Sequence, residues 1–121
     1  MAGKPETGGR RPASICFMKT EAVETVRKVV EKFGTRDVSF IAANAGVKIV
    51  YENWYPVTAG EFDKGKRTIS VNLRAVATGN FSEKSIIAHE LGHFFAGEFC
   101  FDRKTEEAFA DLFAKELNSS E

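Results

Sequence analysis

The stretch Glu83-Lys84-Ser85-Ile86-Ile87-Ala88-His89-Glu90-Leu91-Gly92-His93-Phe94-Phe95 decides how the rest of this chain is read. Ser82 precedes it, and Glu83 puts an acid at the positive end of the helix dipole, so a helix is predicted here. Both histidines of the chain fall inside it. Four positions apart, they share one helical face and can reach a single metal ion. Glu90 is turned by about 100° from His89 at ~3.6 residues per turn. Its carboxylate therefore sits beside such an ion and not on it, the place of a general base. Gly92 removes a side chain at the same spot and lets another element come close. Two neutral imidazoles plus one carboxylate, with a fourth position left for water, make a donor set that suits zinc.

Working outward, the missing carboxylate is sought in the next helix, predicted from a Thr105 cap to about Asn118. Phe109, Leu112, Phe113 and Leu117 form its apolar stripe. Glu107 and Asp111 are four apart and share a face with Ala110 and Ala114, small enough for tight packing against the His89–His93 helix. Glu107 is expected to be the third ligand. Asp111 is expected to accept a hydrogen bond from a ligand imidazole, which fixes its tautomer. Glu106 competes for the ligand role but has Ala110, not a carboxylate, one turn on. The metal-ligand set is thus His89, His93 and Glu107 around Zn2+, with Glu90 catalytic and Asp111 behind the ligands.

Upstream, Val23, Val26, Val29, Val30 and Phe33 recur at helical spacing, giving a helix from Thr20 (the cap) to Phe33 with Gly34 as its stop. Asp37 caps a shorter helix, Val38 to Ala45, closed by Gly46. Alternation in Val47–Tyr51, an extended run at Ala59–Asp63, and Ile69, Val71 and Leu73 on one face of Arg67–Leu73 predict three strands. They are read as a small antiparallel sheet, its order open. Tyr51 and Tyr55 are candidate oxyanion stabilisers, and Trp54-Tyr55-Pro56 reads as a loop anchor or a lid. Asn72 is either a substrate-binding residue or a strand-end turn residue.

The 121 residues are one domain's worth of chain, read as a flexible tail over 1–14 and one α+β domain over 15–121. Hydrophobic residues make up 43%, with eleven Phe, enough for a core and against wholesale disorder. Seventeen basic and seventeen acidic residues cancel, so binding nucleic acid through overall charge is disfavoured. The cancellation hides a split: thirteen basic and eight acidic residues through Ser82, four and nine from Glu83 onward. No run approaches the ~20 apolar residues of a membrane span. The N-terminus lacks the apolar core of a signal peptide. Cys16 and Cys100 form no CxxC pair and are read as reduced, buried small side chains in a cytoplasmic protein.

His89-Glu-Leu-Gly-His93 followed by Glu107-Ala-Phe-Ala-Asp-Leu-Phe-Ala114 resembles the ImmA/IrrE group of gluzincin metallopeptidases. The likeness extends over roughly Val23 to Leu117, through Ile41–Val47 and Ile69-Ser-Val-Asn72, and is strongest from Ile86 on. It implies a zincin-like minimal metallopeptidase domain, a small antiparallel sheet packed with an active-site helix and a following ligand-bearing helix. It also implies a zinc endopeptidase acting on a protein or peptide substrate, in that group a transcriptional repressor, with Ile69–Leu73 as the edge strand that binds extended peptide. The group's sensor domain and helix-turn-helix segment find no match here. The alternative from another class is a catalytically silent, zinc-stabilised binding or regulatory module.

Overall fold

The computed structural model describes residues 11–54, 58–79 and 81–119, with side chains from residue 18. Helix α1 (Arg11–Phe33) leads to α2 (Val38–Asn44), then β1 (Lys48–Glu52), β2 (Gly60–Asp63) and β3 (Thr68–Asn72). α3 (Leu73–Ala77), α4 (Glu83–Ala96), a 3-10 turn (Gly97–Phe99) and α5 (Arg103–Ser119) complete the described chain. This is α+β, as expected.

α1 starts at Arg11, not at Thr20. Met18, Ala22, Val26 and Val29 are buried, so one apolar stripe at three-to-four-residue spacing continues back past Thr20 and keeps the helix going. Pro12 falls in the first turn, where its missing N–H would find no helical acceptor anyway. The predicted tail therefore loses Arg11–Ser14 to α1, and its remainder, residues 1–10, lies outside the described residues. α2 forms as predicted: Asp37 Oδ1 accepts from the Ser39 and Phe40 N–H groups at 3.0 and 3.2 Å. Gly46 follows with φ +82°, a left-handed conformation that suits glycine.

The sheet is mixed, not antiparallel, with strand order β1-β3-β2. The turn at residues 64–67 folds β2 back on β3, which forces that pair to be antiparallel, Phe62 opposite Ile69. β1 pairs with the other side of β3 in parallel, Ile49 opposite Ile69 and Tyr51 opposite Val71. β3 is thus the central strand, with both sides hydrogen-bonded, and cannot be the expected peptide-binding edge. The edge strands are β1 and β2.

Register sorts the faces. Ile49, Ile69 and Phe62 lie across from one another, as do Tyr51, Val71 and Gly60, and this face packs on α4. Ile69 and Val71 are fully buried there. Phe62 meets Phe94 of α4 edge to face, with centroids 5.8 Å apart. α4 also packs on α5 and α2, and α1 covers α5. The phenylalanines form core, as their number suggested: Phe109 and Phe113 are fully buried, and Phe99 and Phe101 stack beside Phe109. Phe40 and Phe81 are exposed exceptions. Cys100 corrects the sequence reading. It is exposed, with a free thiol and φ +56°, because it carries the left-handed step between the 3-10 turn and α5. Cys16 has no described side chain.

Candidate metal centre

α4 is fixed at its start by Ser82, whose Oγ accepts from the Ser85 N–H at 3.0 Å. Most of its circumference is buried, with Ile86, Ile87, Leu91 and Ala96 in the core. His89 and His93, partly exposed, lie one turn apart on the strip between Ile86 and Ala96, with ring centroids 5.0 Å apart. α5 begins from Asp102, not from Thr105. The Asp102 Oδ1 accepts from the Thr105 N–H at 2.8 Å, and the Thr105 hydroxyl first, with this N–H second, holds the Asp102 carboxyl below its ordinary range. The helix therefore starts three residues before the sequence reading placed it.

Gly92 sets how close the two helices come. A Cβ there would lie 2.7 Å from Ala110 Cα and 3.1 Å from Ala110 Cβ and O. With α5 pressed this tightly on α4, its first turns reach over both histidines. Glu107 spans them: Oε2 lies 2.9 Å from His89 Nε2, and Oε1 lies 3.1 Å from His93 Nε2. On the far side of each ring, His89 Nδ1 meets Asp111 Oδ1 at 3.0 Å, and His93 Nδ1 meets Glu106 Oε2 at 2.7 Å.

All four ring nitrogens therefore face carboxylate oxygens. Two neutral imidazoles carry only two N–H groups between them. If both Nδ1–H groups donate outward to Asp111 and Glu106, both Nε2 lone pairs point at acceptor oxygens of Glu107. That arrangement is repulsive unless a cation lies between them, as a metal ion or as a proton on each ring. Donor atoms of His89, His93 and Glu107 all lie within 4.8 Å of one another, close enough to hold one ion. Ligands ~2.0–2.1 Å from a tetrahedral zinc are about 3.3 Å apart, and the two histidine–Glu107 separations, 2.9 and 3.1 Å, are within a few tenths of an ångström of that. The residues fit a metal.

Glu90 is 7% exposed, against side-chain exposures of 23% for His89 and 18% for His93. Burial raises its pKa, His89 and His93 work against the rise, and the charges of Glu107 and Glu61 add to it. A carboxylate desolvated in this way holds a proton more readily and is a stronger base.

Asn72 is not in contact with the site. It is fully buried, and its amide nitrogen donates to Thr58 O at 2.8 Å and to Trp54 O at 3.3 Å. Its Oδ1 accepts from the Arg74 N–H at 3.1 Å, which caps α3. The turn reading of Asn72 holds, and it is withdrawn as a substrate-binding residue. Tyr51 also drops out as an oxyanion stabiliser, because its hydroxyl donates to Glu83 on the face of the sheet that packs on α4. Tyr55 lies outside the described residues. Trp54 is half-buried and donates from Nε1 to Thr58 Oγ1 at 3.0 Å, anchoring the chain before β2.

Two features escaped sequence reasoning. Glu106, rejected as a ligand, is the outer partner of His93. The signal was present, since two ligand imidazoles each need an acceptor on the outer nitrogen and Asp111 serves only one of them. The second feature is β2. A Cβ on Gly60 would lie 2.6 Å from Ile86 Cγ2 and 3.4 Å from Glu90 Cγ, so this edge strand runs directly beside the general-base candidate. An open cleft of about 1520 Å³ lies between β2 and α5, with His89, Glu90, His93 and Glu107 in its wall.

No protein-family model, curated protein or solved structure matches this chain. Among the described residues, no helix is long and apolar enough to cross a membrane.

Proposed function

We propose that this chain is a zinc-dependent endopeptidase of the ImmA/IrrE type that its sequence resembles. One observation carries the reading: a His-His-Glu donor set, open to a cleft, with a buried carboxylate next to it whose proton affinity is raised. A zinc ion held by His89, His93 and Glu107 would polarise the scissile carbonyl and acidify a water. Asp111 and Glu106 keep the proton of each imidazole on Nδ1, which leaves Nε2 free as a donor atom. The Glu90 carboxylate takes the proton of the attacking water and returns it to the leaving amine. The outer edge of β2 offers main-chain N–H and C=O groups to an extended peptide, and pairing there would lay the peptide along α4 beside Glu90.

Glu90→Gln tests the proposal because it keeps size and removes the base. The variant is expected to hold zinc as the wild type does and to lose cleavage. New protein termini should appear in cells carrying the wild type and be missing with Glu90→Gln, and by the resemblance they should include those of a transcriptional repressor. Identical sets of termini would leave a metal-stabilised binding module and remove the peptidase.

A further inference from the structure

α5 carries more than metal-site carboxylates into the cleft. Arg103, Glu107, Asp111 and Lys115 follow one another at intervals of four, and all line it. Glu107 and Asp111 are occupied by the histidines. Arg103 and Lys115 are exposed, and neither forms an ion pair with any described residue. Arg103 is also the first residue of α5, at the positive end of the dipole, where a cation works against helix stability. A side chain that breaks a local rule and lines a cleft is better explained by what it meets there. The facing wall does not cancel these charges, because Glu52, Glu61 and Asp63 stand against Lys48, Lys64 and Lys66.

The spacing defines a ligand. Twelve residues of helix at 1.5 Å each separate Arg103 from Lys115 by about 18 Å along the axis, with the metal ligand Glu107 between them. An extended peptide rises ~3.3 Å per residue and turns alternate side chains to opposite faces, so the two cations are matched by side chains on one face of the peptide, roughly six positions apart. We infer that the cleft selects extended peptides with an acidic side chain on each side of the scissile bond, one held by Arg103 and the other by Lys115. The position about a scissile bond rests on the peptidase reading, whereas the charge preference rests on Arg103 and Lys115 in the cleft wall.

Fluorescent twelve-residue peptides of Ala, Gly and Ser, bearing a pair of Glu, Gln or Lys six positions apart, test this. Binding is read by anisotropy on zinc-loaded Glu90→Gln protein, and cleavage of the same peptides is read by mass spectrometry on wild type. The Glu pair should bind about tenfold more tightly than the Lys pair at low salt, and the gap should narrow as salt screens the contacts. Arg103→Glu/Lys115→Glu should invert the order with zinc content unchanged, and Arg103→Gln/Lys115→Gln should abolish it. Equal binding of Glu and Lys pairs, no binding of any peptide, or an order untouched by the double variants overturns the inference. An inverted order with no cleavage by wild type sustains the charge selection and refutes the peptidase reading.

Discussion

Gly92→Ala tests the contact on which the metal centre depends. In an exposed helix this exchange stabilises by about 1 kcal/mol, because Ala is the better helix former. Here the new Cβ would meet Ala110 Cα at 2.7 Å. Ordinary carbon contacts fall at ~3.5–4.0 Å, so α5 must retreat by about 1 Å. The obstructing atom is backbone, so no rotamer change can relieve it. Overpacking of this kind costs about 1–3 kcal/mol, which cancels or exceeds the propensity gain. The larger effect is on metal. Glu107 rides on α5, and metal–ligand distances tolerate only about ±0.2 Å, so a 1 Å retreat takes Glu107 out of range of the ion. The variant should therefore lose most of its zinc affinity in a chelator competition, and added zinc should no longer raise its Tm. Ala110→Gly in the same chain should rescue little, since Ala110 Cα and O remain. Gly97→Ala is the control: it lies just past the same helix with φ −56° and no neighbour within 4 Å of a new Cβ, so it should be neutral or stabilising. A Gly92→Ala protein that melts as high as wild type and binds zinc equally well would refute the close-approach argument.

Three more outcomes are expected. Glu106→Ala leaves His93 Nδ1 without its acceptor and should weaken zinc binding by about 10–100-fold, whereas Glu106→Gln, which keeps an acceptor oxygen, should lose much less; unchanged affinity in Glu106→Ala would remove Glu106 from the site. Ser82→Ala removes the cap of α4 and should cost about 1 kcal/mol, seen as a Tm lower by roughly 3–5 °C with zinc affinity close to that of wild type. Cys100→Gly relieves a left-handed residue worth about 1–2 kcal/mol against roughly 0.5–1 kcal/mol of added unfolded-chain entropy, so a small rise in Tm with unchanged zinc content is expected. A fall in zinc content would bring the thiol into the metal centre.

What the sequence determined by itself was local. The i, i+4 spacing of His89 and His93, the offset of Glu90, the Asp37 cap and the apolar stripes of α1 and α5 are all local to one helix and set within a few residues. Glu107 and Asp111 were legible for the same reason, once a metal pair short of a ligand was recognised. Tertiary structure decided whatever depends on which distant segments meet. Strand alternation shows which residues share a face but not which strand lies beside which. β3 therefore proved central, β2 became an edge strand, and Asn72 became a buried tie to Trp54 and Thr58. Glu106 gained its role only when α5 was pressed onto α4 at Gly92 and Ala110, a backbone contact between residues eighteen apart in sequence. Periodicity is a property of one element, whereas pairing and close approach are settled by the packing free energy of the whole chain.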